Sequence, residues 1–517
     1  MKNIMIIIAA FVMVTAMGCK NDLDIPDPNT PTTDNFWKTS TDAQMGVNAI
    51  YSTFHRVGLS RWFYFMTIVR SDVAQSKSPN HTIVNVCDQF NIVNYGDTHT
   101  QSIWQDLYIG INRANQVLDN VPGIKMDGQM KKQLLGEASF LRGLFYYHLA
   151  VLYGNVPIPL HTSKISDYPA TKPQDSVFAQ VEKDLSAAAD ALPESYDASM
   201  TGRATKGAAY AMLGKAYLQQ HKYKEAAQAF AWVVDGPGKN LYSLVKSYRD
   251  NFLEATENNS ESIFEIQNLS NPINNHDNDL AAGGDRLNTG SSIPPFFSPR
   301  PIGFTDGQAL RWVVWAFLKE KTITNTRDPR LAATFLYDST DERGPDYTMV
   351  FGRTWTSLKY SDDASAVPNN YDVCFRKLLD DAAQNGENFR SANNHRQIRL
   401  GGVLLLYAEA LNGMGQTAQA YPYVDRVRER VGLAPLSLVK PGLSQQDFLT
   451  QLKHERLLET CGEGHRWEDL ERWGELSTAV ASRDPAFVHF VKGRDELLPI
   501  PQLDIDINPN MQQNPGY

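Results

Sequence analysis

The sequence predicts a mostly α-helical fold, in which a tetratricopeptide-like helical repeat scaffold is interrupted by a long loop-rich insertion. Residues 204–234 and 403–433 carry large and small apolar residues at the spacing of paired, packed helices. Between them, residues 258–394 are rich in Asn, Asp, Gly, Pro and Ser, which is typical of loops. Because a lone repeat cannot bury its own apolar face, we expect the two repeat segments to meet in space across the insertion.

The chain begins with a segment that resembles a secretory signal. A basic start at Lys2 is followed by the apolar run 4–17, which is shorter than the about 20 residues needed to span a bilayer. Residues 16–19, Ala-Met-Gly-Cys, resemble the lipobox of bacterial lipoproteins, although a larger apolar residue usually stands in place of Ala16. We expect Cys19 to become the acylated N-terminus; the alternative is plain secretion with an incidental cysteine.

The residues after Cys19 predict a tether rather than a folded element. Residues 20–35 are polar, acidic and contain prolines, so they cannot bury a core. Each acyl methylene buried in a membrane contributes about 0.8 kcal/mol, and two or more chains give stable attachment. The remaining cysteines, Cys87, Cys374 and Cys461, are odd in number and form no C-x-x-C motif. Neither a disulfide scaffold nor a zinc ribbon is therefore indicated.

Bulk composition limits the possible functions. The 517 residues carry a net charge of -9, so we expect no nucleic-acid partner. A hydrophobic content of 42% and a charged content of 21% are typical of a globular body. The predicted organisation, in chain order, is a signal, a lipidated tether, an N-terminal helical domain, the insertion and a C-terminal helical part: 1–18, 19–35, 36–257, 258–394 and 395–517.

The first repeat unit gives the clearest helical pattern. Gly214 and Ala226 occupy small positions that allow two helices to approach closely, and Tyr210, Tyr217 and Phe230 fill the space around them. In the second unit the same phase is kept by seven residues: Leu404, Ala408, Leu411, Gly415, Ala420, Val424 and Val427. A third helical pair is predicted around residues 136–154, where one apolar stripe is formed by Ala138, Leu141, Phe145, Leu149 and Leu152.

Four segments carry a family resemblance that covers almost the whole chain: residues 104–122, 136–158, 454–474 and 497–517. The last two, HERLLETCGEGHRWEDLERWG and LLPIPQLDIDINPNMQQNPGY, are the most specific. With these motifs and the lipobox-like start, the chain resembles the SusD-like (RagB/SusD) outer-membrane lipoproteins of Bacteroidetes. One departure is Cys461 with Gly462, where the family more often has a larger apolar residue.

The resemblance implies both a location and a partner. Family members are mostly helical repeat proteins, held by a lipid anchor on the outer membrane and facing the extracellular side. They pair with a SusC-like TonB-dependent transporter, capture glycans or in some cases other nutrients, and act as a lid on the transporter barrel. The resemblance therefore implies an oligosaccharide or other nutrient ligand, a non-catalytic role and no required cofactor.

Aromatic residues in loop-like stretches are candidate contacts for such a ligand. Aromatic rings can cover the apolar face of a sugar while polar side chains bind its hydroxyl groups. The candidates are Tyr95, Phe297, Trp312 and Trp355, with Arg353 beside Trp355. Trp312 and Trp315 are three residues apart on one face of a predicted helix, and both rings are interpreted as core residues first, with ligand contact by Trp312 as the second possibility. The continuous apolar stretch 61–66 is interpreted as a buried helix start.

Polar candidates are fewer. Asn80 and His81 are possible partners for ligand hydroxyl groups. Asp277, Asp279 and Asp285 offer oxygen ligands for calcium, but their spacing does not match an EF-hand loop, and loop solubility is the alternative explanation.

Two other functions remain as alternatives: a repeat-based interaction scaffold of the transporter complex without its own small ligand, and a surface glycoside hydrolase. Residues 463–473 concentrate acidic residues, but they read as a structural helix with a Glu468–Arg472 pair. One side of that helix is apolar, with Trp467, Leu470 and Trp473. No H-E-x-x-H, P-loop or G-x-S-x-G motif occurs, so no catalytic machinery is indicated.

Overall fold

The structure, a computed structural model, describes residues 36–76, 78, 82–164, 166–270, 289–299, 302–337, 351–352, 373–381, 389 and 391–517. These residues are mostly helical, which confirms the predicted fold class. The α-helices are α1 Ser40–Tyr51, α2 Thr82–Asp88, α3 Thr98–Asn120, α4 Gly128–Tyr153, α5 Gln174–Ala191, α6 Lys206–Gln219, α7 Tyr223–Val234, α8 Pro294–Phe297, α9 Arg311–Leu318, α10 Pro329–Thr334, α11 Leu400–Gly413, α12 Thr417–Arg430, α13 Leu436–Val439, α14 Gln445–Thr460, α15 Arg466–Arg472 and α16 Gln502–Ile507. The strands are β1 Ala74–Ser76, β2 Val156–Pro157, β3 Thr171–Lys172, β4 Ser262–Ile266, β5 Gly307–Ala309, β6 Phe335–Leu336, β7 Cys374–Phe375 and β8 His395–Arg399.

The long helices form one continuous stack. Helix α1 packs on α3, α3 on α4, α4 on α5, α5 on α6, and α6 on α7. Helix α7 then packs on α11, and α11 on α12 and α14, so the two repeat units are direct neighbours. The prediction that the repeats meet across the insertion is confirmed. The third predicted segment is α4, one long helix that packs between α3 and α5.

Small residues set the distances between the repeat helices, as the sequence pattern predicts. A Cβ atom on Gly214 would lie 2.6 Å from the ring of Phe230, so α6 and α7 can approach this closely only with glycine there. Ala226 in the facing helix is fully buried. At the junction between the units, a Cβ atom on Gly413 would collide with the ring of Tyr223.

Polar N-cap side chains fix where several of these helices begin. Thr39 and Asp42 form a reciprocal capping box at α1. Asp127 accepts a hydrogen bond from the Met130 backbone at the start of α4, and Ser444 accepts one from the Asp447 backbone at α14. These oxygens satisfy backbone N–H groups that have no partner within the helix.

The apolar segment predicted as a buried helix start is buried but is not an ordinary α-helix. Gly58–Trp62 and Phe65–Val69 are π-helical turns, and all of their residues are buried. π-Helical turns are rare in proteins overall, but those that occur are often found at functional sites. Here they bring the large side chains of residues 61–65 under the loop-rich insertion.

Short antiparallel ladders connect the insertion to the scaffold. Strands β4 and β8 pair from Ser262↔Arg399 to Ile266↔His395, near the two ends of the predicted insertion. The other pairs are β1–β5, β2–β3 and β6–β7. The predicted domain boundaries themselves stay predictions.

A buried network of charged side chains joins the insertion to the C-terminal helices. Both carboxylate oxygens of Glu459 are used: they bind Arg399 at 2.5 Å, Arg430 at 2.6 Å and Arg330 at 3.2 Å. Arg399 also binds Glu463 at 2.7 Å. Because each of these charges has a partner of opposite sign, the interior tolerates them.

The helix predicted in the C-terminal motif is present as α15, but its predicted Glu468–Arg472 pair is wrong. Glu468 instead binds Lys215 of α6 at 2.7 Å, and Arg472 binds Glu409 of α11 at 2.8 Å. Helix α15 is buried against the scaffold, so its charged side chains reach partners on neighbouring helices, and within the helix Arg472 pairs with Asp469 at 2.7 Å rather than with Glu468.

The three remaining cysteines belong to the hydrophobic core. Cys87, Cys374 and Cys461 are all buried, and no two of them are joined by a disulfide bond. Burial raises the pKa of the Cys87 and Cys461 thiols to about 12, so neither is a reactive thiolate at neutral pH.

Among the described helices, none combines the length and the apolar character needed to cross a membrane.

Candidate ligand-binding surface

Loop segments of the insertion reach the N-terminal half through the β1–β5 ladder. Ser76 pairs with Gly307 at one end of this ladder, and Ala74 pairs with Ala309 at the other. The Ala309 N–H also donates to the Val373 carbonyl at 2.8 Å, immediately before β7. The ladder therefore gathers segments that lie far apart in the sequence onto one part of the molecule.

Three phenylalanine rings form a cluster near the Ser76–Gly307 end of the ladder, which we call the aromatic surface. The ring centroids of Phe296, Phe304 and Phe389 lie 5.6 to 6.0 Å apart in all three pairs. Phe296 is fully buried, Phe389 is half-buried, and Phe304 is 42% exposed. The cluster therefore presents apolar ring area to solvent within a polar, loop-rich region.

A buried arginine supports these rings from one side. The guanidinium carbon of Arg61 lies 4.7 Å from the centroid of Phe296 and 5.3 Å from that of Phe389. Its Nε donates to the Ser292 hydroxyl at 3.3 Å. Because cation–π contacts strengthen when water is excluded, Arg61 stabilises the position of both rings.

Phe297, a predicted ligand contact, lies beneath this region rather than on it. Its side chain is 1% exposed, and its ring packs 5.3 Å from Phe65 and 5.9 Å from Phe375. A Cβ atom on Gly307 would collide with the same ring. Phe297 therefore supports strand β5, and the partly exposed rings belong to other phenylalanines.

Helix α9 carries the two tryptophans that the sequence places on one helical face. Trp312 is half-buried: its indole N–H donates to the Asp72 carbonyl at 2.6 Å, and Arg483 lies 5.2 Å above its ring. Trp315 is 55% exposed, so the interpretation of this ring as core is wrong. Helical spacing places the rings on one side of α9 but does not say whether that side is covered.

Tyr95 lies beside the C-terminal segment. Its half-buried ring packs edge-on against Tyr517 at 5.6 Å, and its carbonyl accepts the Gln502 N–H at 3.0 Å. No described ring contact links Tyr95 to the aromatic surface. Its role as a ligand contact stays a prediction.

Several predicted site residues lie outside the described residues: Cys19, Asn80, His81, Arg353 and Trp355. The same is true of the three aspartates considered for calcium: Asp277, Asp279 and Asp285. Within the described ranges, no group of three or more His, Cys, Asp or Glu side chains is placed to hold a metal ion.

Charged groups cluster beside Trp312. Asp72 is fully buried and binds Arg466 at 2.6 Å and Arg483 at 3.1 Å. Burial raises the pKa of Asp484 to about 7, and the negative charge of Asp72 adds to this shift. Burial likewise raises the pKa of Asp88 well above its usual range, although Asp88 accepts the Ser76 N–H. This part of the molecule therefore contains two carboxyl groups, those of Asp88 and Asp484, that resist ionisation.

The sequence signal for the aromatic surface is weak. Phe304 and Phe389 stand in polar stretches with no periodic pattern, and only the fold brings them together. The segment around Arg61 is recognisable as buried, but nothing in it indicates that the guanidinium lies under two rings. Its position within a loop-rich stretch is the sequence feature that could have made Phe304 a candidate.

The described residues therefore form a helical repeat scaffold whose loop-rich insertion carries a partly exposed aromatic surface. Comparison with known proteins identifies the family. The model of the SusD family matches residues 260–517, and a second model, described as starch-binding and associating with the outer membrane, matches residues 29–218. The chain belongs to the SusD-like family, which confirms the resemblance seen in the sequence.

The sequences of individual relatives align with most or all of this chain. A SusD-like protein from Formosa agariphila is 25% identical over 100% of this chain and 100% of its own. The starch-binding protein SusD from Bacteroides thetaiotaomicron is 25% identical over 83% of this chain and 81% of its own.

Solved structures show the same fold. A laminarin-binding SusD-like protein is 28% identical, with a TM-score of 0.74, and the match covers 93% of this chain and 100% of that one. A SusD superfamily protein from Bacteroides vulgatus is 24% identical, with a TM-score of 0.80 over 93% of this chain and 100% of its own. The second likeness shows the fold alone.

Proposed function

We propose that this protein is a cell-surface glycan-binding lipoprotein, which captures oligosaccharide and hands it to a partner SusC-like TonB-dependent transporter without catalysing a reaction. The observation that carries the proposal is the partly exposed aromatic surface, held by buried Arg61 on the loop-rich side of the scaffold. Its relatives include a starch-binding and a laminarin-binding protein, which supports a glycan as the class of ligand.

The chemistry of the surface suits a sugar. The C–H faces of a pyranose ring pack on aromatic rings, and Phe304 and Phe389 offer such area next to polar loops. Trp315 adds a second exposed ring on helix α9. The predicted residues Asn80, His81, Arg353 and Trp355 would supply hydrogen bonds and a further ring.

Lipid attachment at Cys19 would hold this surface outside the cell. The polar residues 20–35 are long enough to separate the acylated end from the folded body. Replacing Cys19 with Ala should move the protein from the membrane fraction to the soluble fraction and abolish labelling by radioactive palmitate. Retention of the label in that variant would refute acylation at this residue.

A binding panel tests the proposed ligand class. Purified protein should bind at least one glycan among soluble starch, laminarin, xylan and mannan in affinity electrophoresis and calorimetry. Phe304→Ala should weaken that binding at least tenfold, whereas Tyr168→Ala, which removes a ring of similar exposure (45%) outside the insertion, should not. Absence of binding to every glycan, with and without the transporter, would overturn the proposal.

The same variants distinguish glycan capture from a pure interaction scaffold. Affinity purification from cells should recover the transporter with the Phe304→Ala variant as well as with the wild type. If the substitution leaves glycan binding unchanged but breaks the complex, the aromatic surface is a protein-contact surface instead.

A further inference from the structure

A polar groove opens on the repeat helices rather than on the insertion. It lies where the start of α5, the turn between α6 and α7, and the end of α15 meet, and its volume is about 490 Å³. Pockets for small molecules usually measure about 300–1,000 Å³. Interior cavities around Glu463 are far smaller, at about 20–30 Å³, which is room for a water molecule. The groove therefore has the size of a ligand site.

The turn between α6 and α7 gives the groove one wall. His221 has a left-handed backbone with φ of 58°, which is uncommon for residues other than glycine. Its exposed ring accepts or donates a hydrogen bond at the Tyr223 hydroxyl, 3.0 Å away. Gln219 and Gln220 precede it, so amide and imidazole groups line this wall together.

The positive charges of the groove are neutralised by partners in its walls. Lys222 binds Glu182 at 2.5 Å, and Arg472 binds Glu409 at 2.8 Å. Neither cation is therefore available to attract an anionic ligand strongly. Across the groove stands the exposed carboxylate of Asp175, in the first turn of α5.

Glu471 is the unusual carboxyl group of the groove. It is half-buried on α15, and its Oε2 accepts a hydrogen bond from Gln219 Nε2 at 3.1 Å. Burial raises its pKa to about 8, and the charge of Glu468 adds to the shift. Arg472 on the same helix acts in the opposite direction, and Glu496 from the C-terminal segment raises the pKa further. At pH 7 the group is mostly a neutral acid that can donate a hydrogen bond.

We propose that this groove is a second binding site, for a neutral polyhydroxy ligand of the size of a mono- or disaccharide. The amide oxygens of Gln174 and Gln220 and the Asp175 carboxylate offer acceptors, whereas Gln220 Nε2 already donates to Glu182 and to the Ala216 carbonyl. The His221 ring and the neutral Glu471 carboxyl group add donors to the lining. A ligand without charge meets no repulsion from Asp175 and needs no free cation. The proposal rests on the proposed function for the ligand class, but its location is independent of the aromatic surface.

Direct titration with disaccharides tests the site. The mature protein is titrated with maltose, cellobiose, laminaribiose, xylobiose and mannobiose by saturation-transfer NMR and calorimetry. At least one should bind, and the Gln174→Ala/Asp175→Ala double variant should bind it at least tenfold more weakly. Lys224→Ala, an exposed change on α7 outside the lining, and Phe304→Ala on the aromatic surface should bind it as the wild type does.

A pH series separates direct contact from a structural effect. Wild-type affinity should fall as the pH rises from 7 to 9, because Glu471 loses its proton, whereas Glu471→Gln should bind equally at both pH values. The groove proposal fails if no disaccharide binds, or if the double variant binds as tightly as the wild type. Either result leaves polymer binding at the aromatic surface intact, so the two proposals fail separately.

Discussion

Buried charges in this protein are compensated by partners from distant parts of the chain. Glu459 of α14 is fully buried and meets Arg330 from the insertion, Arg399 from β8 and Arg430 from α12. Burial alone would raise the pKa of Glu459, but the charges of Arg430, Arg399 and Arg330 outweigh it and hold the pKa far below its usual range. One carboxylate therefore connects three segments of the fold.

Removing that carboxylate should destabilise the whole protein. In Glu459→Gln the three guanidinium groups stay buried but lose one negative charge, and breaking a buried ion pair from one side costs about 3–5 kcal/mol. We expect the free energy of unfolding, measured by urea denaturation at pH 7, to fall by about 3–5 kcal/mol. The matched change Glu475→Gln removes a partly exposed pair with Lys453 and should cost under about 1 kcal/mol. Equal losses in the two variants would contradict this role for Glu459.

Asp484 should make stability depend on pH. Its Oδ1 accepts the Ala486 N–H at 3.0 Å, while its Oδ2 is buried and has no hydrogen-bond partner among the described residues. Because the folded pKa of about 7 lies above the ordinary value of 3.8, the folded state favours the protonated form. Ionisation therefore destabilises the fold progressively as the pH rises from about 4 to 7, by up to about 4 kcal/mol.

The variant Asp484→Asn isolates this effect, because asparagine keeps the cap acceptor and carries no charge. We expect its unfolding free energy to match that of the wild type at pH 4 and to exceed it at pH 8. Chemical denaturation at four or five pH values measures the difference. A constant difference across the range would show that ionisation of Asp484 has no part in stability.

Among the elements, the repeat helices are those that the sequence predicts best. Their small positions and apolar stripes repeat over thirty residues, so the local pattern alone identifies helices near α6, α7, α11 and α12. The insertion gives no such signal, since Phe304 and Phe389 lie far apart in the sequence and come together only in the folded structure. The Glu468–Arg472 pair predicted within α15 is wrong for the same reason. The actual partners, Lys215 and Glu409, lie on other helices, and no spacing rule along α15 predicts them.

The close contact between α6 and α7 can be tested at Gly214. Alanine favours helix by about 1 kcal/mol over glycine, so propensity alone predicts that Gly214→Ala stabilises the protein. The new methyl group would lie 2.6 Å from the ring of Phe230, which is fully buried, so the ring or a helix must shift to admit it. We expect a net loss of about 1–3 kcal/mol in thermal unfolding.

The matched substitution is Gly128→Ala at the start of α4, where no atom lies within 4 Å of the added methyl group. This variant should be neutral or slightly more stable than the wild type. If Gly214→Ala were as stable as Gly128→Ala, the small position would not limit how closely the helices approach.

At the scale of the whole molecule, the halves recognised by the two family models do not form separate bodies. The boundary between their matches falls at residues 219–259, yet α7 lies inside this gap and packs directly on α11. The ionic network around Glu459 adds a second connection, between the insertion and α14. The insertion is therefore held on a scaffold to which both halves contribute helices, an arrangement that would fix the position of the proposed binding surface.

This shared scaffold predicts a single cooperative unfolding transition. Residues 36–257 expressed alone would expose the face of α7 that packs on α11, including the ring of Tyr223 that contacts Gly413 in the full chain. We therefore expect that fragment to aggregate or to melt without a sharp transition. In scanning calorimetry, the full chain should give one peak whose calorimetric and van't Hoff enthalpies agree. Glu459→Gln should shift that peak to lower temperature without splitting it. Two resolved peaks, with only one displaced by the substitution, would mean that the halves fold independently and that the repeat junction contributes little to stability.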